Sequence, residues 1–140
     1  MQTHRTILCF DYGTARIGVA SGQTLTRTAT ALAVLRNTKH GQPDWDHIHA
    51  LLTEWKPDTV IVGLPLNMDG TPSEMSARAE KFGRQLHGRF GVTIEMFDER
   101  LSSYAARQGA QHHHANPVDH EAARLILESW LNSLPKMPAG

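Results

Sequence analysis

The chain has 140 residues, 40% hydrophobic and 20% charged, enough for one packed core and unlike disordered, collagenous or coiled-coil composition. Lys and Arg number 14 against 14 Asp and Glu, which excludes an overall basic field that would bind nucleic acid without selectivity, so any anion site is local. The single Cys9 excludes an internal disulfide, and the apolar stretch Ile7 to Phe10 is too brief for a secretory leader or a membrane span, so the expectation is a cytoplasmic protein with no membrane partner.

Thr6 to Phe10 reads as a strand buried on both faces and bounded by Asp11-Tyr12-Gly13. Ile17 to Ser21 and Thr28 to Val34 follow at short spacing, which predicts a three-strand meander. Asp46 is placed to cap a helix in which Ile48, Leu51, Leu52 and Trp55 recur at helical spacing and which Lys56-Pro57 ends. Thr59 to Leu64 is the next buried strand, with Gly63 near its end. A second helix is expected to open with Thr71 as N-cap, Pro72 at the first helical position and Glu74 as capping-box partner. Its apolar stripe is Met75, Ala79, Phe82, Leu86 and Phe90, and Gly91 supplies a left-handed C-cap. Val92 to Phe97 is another buried strand, closed by Asp98-Glu99-Arg100. Asn116-Pro117 opens the last helix, which runs to about Leu131.

This order predicts an α/β fold: a mixed five-stranded sheet, made of a three-strand meander plus two parallel strands, with helices on both faces. Residues 1–134 form one domain and 135–140 a frayed C-terminal tail. In such sheets ligands bind beyond the carboxyl ends of parallel strands, and Asp11 and Asp98-Glu99 stand at those ends. In the last helix Asp119 shares a face with the apolar Ala123, Ile126 and Trp130, so an acid begins the core-facing stripe. Helix capping and cation binding both account for it. Asp11, Glu99 and Asp119 gathered at one sheet edge would repel one another unless a cation neutralised them. Oxygen ligands without thiolate or paired His favour Mg²⁺ or Mn²⁺, and such ions suit phosphodiester hydrolysis.

Arg16 and Arg100 flank the strand-end acids, where they can contact phosphates or neutralise Asp11 and Asp98 as ion pairs. Asn67, Thr71 and Ser73 surround a helix N-terminus, a place for phosphate, although capping alone explains Thr71. The run His112 to His114 reads as a solvated, pH-sensitive surface, and Trp45, Trp55 and Trp130 as core and rim packing.

Four ordered blocks carry a resemblance: FDYGTARIGVA (Phe10 to Ala20), IVGLPLNMDGTPSEMSARAEKF (Ile61 to Phe82), FDERLSSYAA (Phe97 to Ala106) and VDHEAARLILESWL (Val118 to Leu131). Together they span nearly the whole chain and resemble the YqgF-type family of Holliday-junction-resolvase-like and pre-16S ribosomal RNA nucleases, on a RuvC-like ribonuclease H fold. The family's acidic positions carry over onto Asp11, Glu99 and Asp119, with Asp98 as a neighbour. The resemblance implies a metal-dependent endonuclease that trims the 5′ end of the small-subunit ribosomal RNA precursor, in the cytoplasm, acting on structured precursor RNA; the neutral net charge adds ribosomal particles as an expected partner, and the chain is expected as a monomer or a homodimer. The chain departs from the family in the segment Arg107 to Pro117, which lacks the usual run of Lys and Arg, and from the wider superfamily where an acid commonly ends the fourth strand. Here that place reads Gly63-Leu-Pro-Leu-Asn67. Two other readings stand beside this one: a junction resolvase acting on branched DNA, and a non-catalytic RNA-binding factor in ribosome assembly or transcription. Asp11-Tyr-Gly-Thr also looks like the first phosphate loop of actin-like kinases, but those need two lobes and 140 residues supply one.

Overall fold

The computed structural model of the chain describes residues 5–102 and 120–135. Five strands form one sheet: β1 (Thr6–Tyr12), β2 (Arg16–Gln23), β3 (Thr28–Arg36), β4 (Thr59–Leu64) and β5 (Ile94–Asp98), in the spatial order β3-β2-β1-β4-β5. The meander β1-β2-β3 is antiparallel, whereas β4 runs parallel to β1 and β5 parallel to β4. Three helices, α1 (Trp45–Trp55), α2 (Glu74–Phe90) and α3 (His120–Ser133), complete the described fold. The predicted mixed sheet with helices on both faces is therefore observed.

Strand alternation divides the core in two. Leu8, Phe10, Ile17, Val19, Val60 and Val62 point to one face, where Ile48, Leu51 and Leu52 of α1 and Ala79, Phe82 and Leu86 of α2 cover them. Ile7, Cys9, Ala20, Ile61 and Phe97 point to the other, against Ala123, Ile126, Leu127, Trp130 and Leu131 of α3. The stretch Ile7 to Phe10 of β1 is apolar throughout because both of its faces are covered. On the α3 side Trp130 donates its indole N–H to Glu95 of β5 at 2.7 Å, so the buried ring keeps its polar atom satisfied. In the β2–β3 turn Arg27, at φ 55°, donates to the carbonyls of Leu131 at 3.3 Å and Leu134 at 3.1 Å, placing a cation at the C-terminal end of α3.

Several boundaries differ from those the sequence predicts: β2 spans Arg16–Gln23 rather than Ile17 to Ser21, β3 runs on past Val34 to Arg36, β5 is Ile94–Asp98 rather than Val92 to Phe97, and three further differences have a local cause. Strand β1 continues through Asp11 to Tyr12, because Asp11 and Tyr12 pair with Gly18 and Ile17 of β2 and the ladder tolerates a charge at its end. The α1 cap is Asp44, whose carboxylate accepts from the N–H of His47 at 3.1 Å, and Asp46 lies in the first turn, where its charge suits the helix dipole. Helix α2 is capped by Ser73, whose hydroxyl oxygen accepts from the N–H of Ser76 at 2.9 Å while the Ser76 hydroxyl accepts from the N–H of Ser73 at 2.7 Å. Thr71, predicted as that cap, is engaged with Asp69, and Pro72 precedes the cap. Gly91 ends α2 at φ 70°, as the sequence predicts. Among the described residues no helix is long and apolar enough to cross a membrane.

Candidate active site

Asp11 lies on the α3 face of β1, two residues beyond Cys9, and is only 4% exposed. The last pair of the parallel β1–β4 ladder is Phe10 with Val62, so Asp11 stands level with Gly63 on the adjacent strand. On the far side of β4, Gly63 pairs with Phe97. Two residues later the chain enters a 3₁₀ turn, Glu99–Leu101, whose first residue returns its side chain to the α3 face. A β-carbon added to Gly63 would lie 2.6 Å from Oε2 of Glu99 and 3.1 Å from Cδ1 of Ile126. The carboxylate of Glu99 therefore fills the space above the end of β4 that a side chain on that strand would occupy. Glycine at 63 is what admits it.

Both acids are buried, Glu99 being 9% exposed. Burial, followed by the charges of Asp11 and Asp98, pushes the Glu99 carboxyl from 4.5 up to about 8. The same pair is felt one turn of the pleat below: burial first, then Asp11 and Glu99, pushes the Cys9 thiol well above its usual value. Cys9 is a buried, inert thiol. Two carboxylates forced together in a site with little water are a poor arrangement for stability and a good one for a hard cation, which would displace the proton from Glu99. Among the described residues no set of three His, Cys, Asp or Glu is gathered closely enough to hold a metal ion. Asp119, the third acid expected, lies outside the described residues, as do the loop 107–117 with His112 to His114 and the Asn116-Pro117 helix start.

Asp98 alternates away from this face. Its carboxylate takes two prongs of Arg100, with Nε at 3.1 Å and Nη2 at 2.7 Å, and accepts the Arg100 N–H at 2.9 Å. That pair holds the Asp98 carboxyl below its ordinary value against the opposing effect of burial. Arg100 reaches on to donate to the carbonyl of Met68 at 3.2 Å and packs on Gly70, so it braces the β4–α2 loop.

Within that loop Asn67 donates its amide to Thr71 Oγ1 at 3.0 Å and to the carbonyl of Pro72 at 3.1 Å. Ser73, besides capping α2, donates its hydroxyl to the carbonyl of Pro65 at 2.5 Å. Asp69 accepts from both the N–H and the hydroxyl of Thr71, at 3.0 Å and 2.6 Å, and these bonds lower its carboxyl pKa. The polar groups of Asn67, Ser73 and Arg100 are thus committed to shaping the loop beside the site. Arg16 is exposed at the start of β2.

One residue that the sequence reading passed over matters here. Asn37, just after β3, donates its side-chain amide to the carbonyls of Gly13 at 3.0 Å and Thr14 at 2.9 Å, and its backbone N–H to Ala15 at 2.9 Å. It ties down the turn that follows Asp11. Its only signal in the sequence is an Asn at the end of a strand, which is commonplace.

Comparison with known proteins identifies the family and the fold. A family model described as "RuvX: Holliday junction resolvase" matches residues 5–133. A protein of Saccharophagus degradans named "Putative pre-16S rRNA nuclease" is 56% identical over 142 residues, covering 97% of this chain and 99% of its own. A protein of the same name from Pseudomonas syringae pv. tomato is 53% identical over 144 residues, covering 98% of each chain. Among solved structures, that of Thermus thermophilus RuvC in complex with a Holliday junction substrate superposes with a TM-score of 0.52 at 16% identity, over 91% of this chain and 94% of that one. This likeness bears on the fold, which is the RuvC-like, ribonuclease H-like one expected. With a family model spanning almost every residue and relatives identical at more than half of their positions, descent is plain: the chain belongs to the RuvX family.

Proposed function

We infer that this protein is a metal-dependent phosphodiester endonuclease that processes the 5′ end of precursor 16S ribosomal RNA, working in the cytoplasm on structured RNA or on ribosomal particles. The observation that carries the reading is the buried pair Asp11 and Glu99 at the carboxyl edge of β1 and β4, with the Glu99 carboxyl raised to about 8. Acids crowded in this way serve charge chemistry rather than packing. Relatives named as pre-16S rRNA nucleases support the choice of substrate.

Asp11 and Glu99, with Asp119 as a third acid supplied by the segment before α3, would hold Mg²⁺ or Mn²⁺. Asp98, paired to Arg100, is a weaker candidate for that set. A divalent cation, when bound, supplies Lewis-acid activation of water and stabilises charge at the scissile phosphate. The reaction forms one bond from water oxygen to phosphorus and breaks one ester P–O bond, and the departing oxygen takes up a proton. Asp11 and Glu99 fix where that exchange occurs, and burial against α3 limits competing water. Arg16 is placed to hold backbone phosphate nearby, whereas Asn67, Ser73 and Arg100 act by keeping the β4–α2 loop in shape for it. Residues 1–134 are read as the nuclease domain and 135–140 as its tail.

The family model's description supports a second substrate, branched DNA. Incubating the protein with a precursor leader RNA and with a four-way DNA junction, in Mg²⁺, Mn²⁺ and chelator, separates the two. Cleavage of the RNA, abolished by chelator and by Asp11→Asn, is the expected result. Cutting of the junction alone would make the protein a resolvase, and no cutting of either would leave an RNA-binding assembly factor.

A further inference from the structure

Arg16 opens β2, Arg36 closes β3, and the register sets them directly opposite each other. Their neighbours in the ladder, Ile17 and Leu35, face the core under α1 and α2. Alternation therefore turns both arginines to the face that carries Asp11 and Glu99. Both are exposed. Like charges directly opposite on paired strands destabilise the sheet, and a nearby carboxylate is the usual relief. None supplies it here: among the described residues the ion pairs join Arg78 to Glu74, Arg100 to Asp98, and Arg124 to Glu121 and Glu128.

The mounting beneath the pair is firm, because Asn37 pins Gly13, Thr14 and Ala15, the turn that leads from β1 to Arg16. Asp11 pairs with Gly18, and Arg16 stands two residues further along β2, about 7 Å from Gly18 at the rise of a β-strand. Arg36 is one strand spacing beyond, about 5 Å. Extended arginine side chains span such distances, so both guanidinium groups can reach a strand whose scissile phosphate sits at Asp11.

We propose that Arg16 and Arg36 form a two-guanidinium clamp for the phosphodiester backbone of an RNA strand, gripping the phosphates next to the one presented to Asp11 and Glu99. The proposal deepens the nuclease reading and rests on it for the placement of the scissile phosphate. A guanidinium fork matches phosphate oxygens two at a time, and an anion shared between the two forks turns their mutual repulsion into joint attraction. A chain with no net charge needs such a local site to hold a polyanion.

The test is fluorescence anisotropy with a labelled single-stranded RNA oligonucleotide, titrated in chelator over a series of salt concentrations so that nothing is cut. Wild type, Arg36→Gln and the double variant Arg16→Gln/Arg36→Gln are compared, with Arg5→Gln, at the opposite end of the sheet, as the control for lost charge. Each clamp substitution should weaken binding about tenfold and lower the slope of log K against log salt by about 0.7. Arg5→Gln should leave both nearly unchanged. The double variant should melt no lower than wild type, since the repulsion is gone, which separates lost grip from lost fold. The DNA form of the oligonucleotide should lose as much affinity as the RNA if the contact is to backbone. Wild-type affinity and slope in the double variant, or a wild type without affinity for the oligonucleotide, would overturn the clamp. Cleavage by wild type beside unaltered binding of the double variant would remove the clamp and keep the nuclease. Weakened binding beside a wild type that cuts nothing would do the reverse.

Discussion

Glu99 lies over Gly63, with its Oε2 2.6 Å from where a β-carbon on that glycine would be. Glu99 enters from the 3₁₀ turn that follows β5 and fills the space that a side chain at Gly63, near the end of β4, would take.

Gly63→Ala is the substitution most sensitive to this relationship. The added methyl meets the Glu99 carboxylate and Cδ1 of Ile126, at 2.6 Å and 3.1 Å, inside a packed region. Overpacking of this kind should cost about 1–3 kcal/mol, read by urea denaturation. Cleavage should fall much further than the folded fraction, because Glu99 must move. A variant with wild-type activity would show that the acid's position is not critical.

Glu99 also couples stability to pH. Its carboxyl is raised from 4.5 in the unfolded chain to about 8 in the folded one, by burial first and then by Asp11 and Asp98. The folded state binds that proton more tightly, so the stability it lends is complete below about pH 4.5 and is lost as pH rises through about 8. In chelator the melting temperature should therefore decline across that window. Saturating Mn²⁺ should displace the proton and remove the decline. A metal-free melting temperature that rises with pH over this range contradicts the account.

Glu99→Gln should remove both the charge and the function. At about pH 8 without metal the variant should melt above wild type, because a buried ionised carboxylate has become a neutral amide. Loss of cleavage accompanied by a gain in stability is the pattern expected of a residue kept for chemistry. A lower melting temperature would show that the carboxylate supports the fold.

Ser73→Ala probes the loop beside the site. It removes the α2 cap and the bond to the carbonyl of Pro65, at a cost of about 1 kcal/mol in urea denaturation. RNA affinity in chelator should stay within about twofold of wild type, because the hydroxyl is already committed within the protein. A large loss of affinity with little loss of stability would instead make Ser73 a phosphate ligand.

Much of this architecture is legible in the sequence. The strand Thr59–Leu64 and the C-cap at Gly91 were fixed by unbroken apolar character and by a glycine at the required turn. The errors share a cause: where two hydroxyl or acid residues stand close together, type alone does not say which one caps. Asp44 and Asp46, or Thr71 and Ser73, are equivalent as letters, and the choice follows from which side chain the loop has already engaged. Asp11 looked like the end of β1 because a charge interrupts an apolar run, although its backbone continues the ladder with Gly18. The closeness of Asp11 and Glu99 followed from topology, whereas the Asn37 tie and the Arg16–Arg36 register depend on long-range pairing that no local pattern reports.

The central claim is that Asp11 and Glu99 carry a metal-dependent hydrolysis. Single-turnover cleavage of a precursor leader RNA in Mn²⁺ by wild type, Asp11→Asn and Glu99→Gln, with RNA binding measured in parallel, tests it most directly. Each substitution should slow cleavage by on the order of a thousandfold or more while binding is kept, as the loss of several kcal/mol of transition-state stabilisation requires. Cleavage by either variant at the wild-type rate would contradict the account.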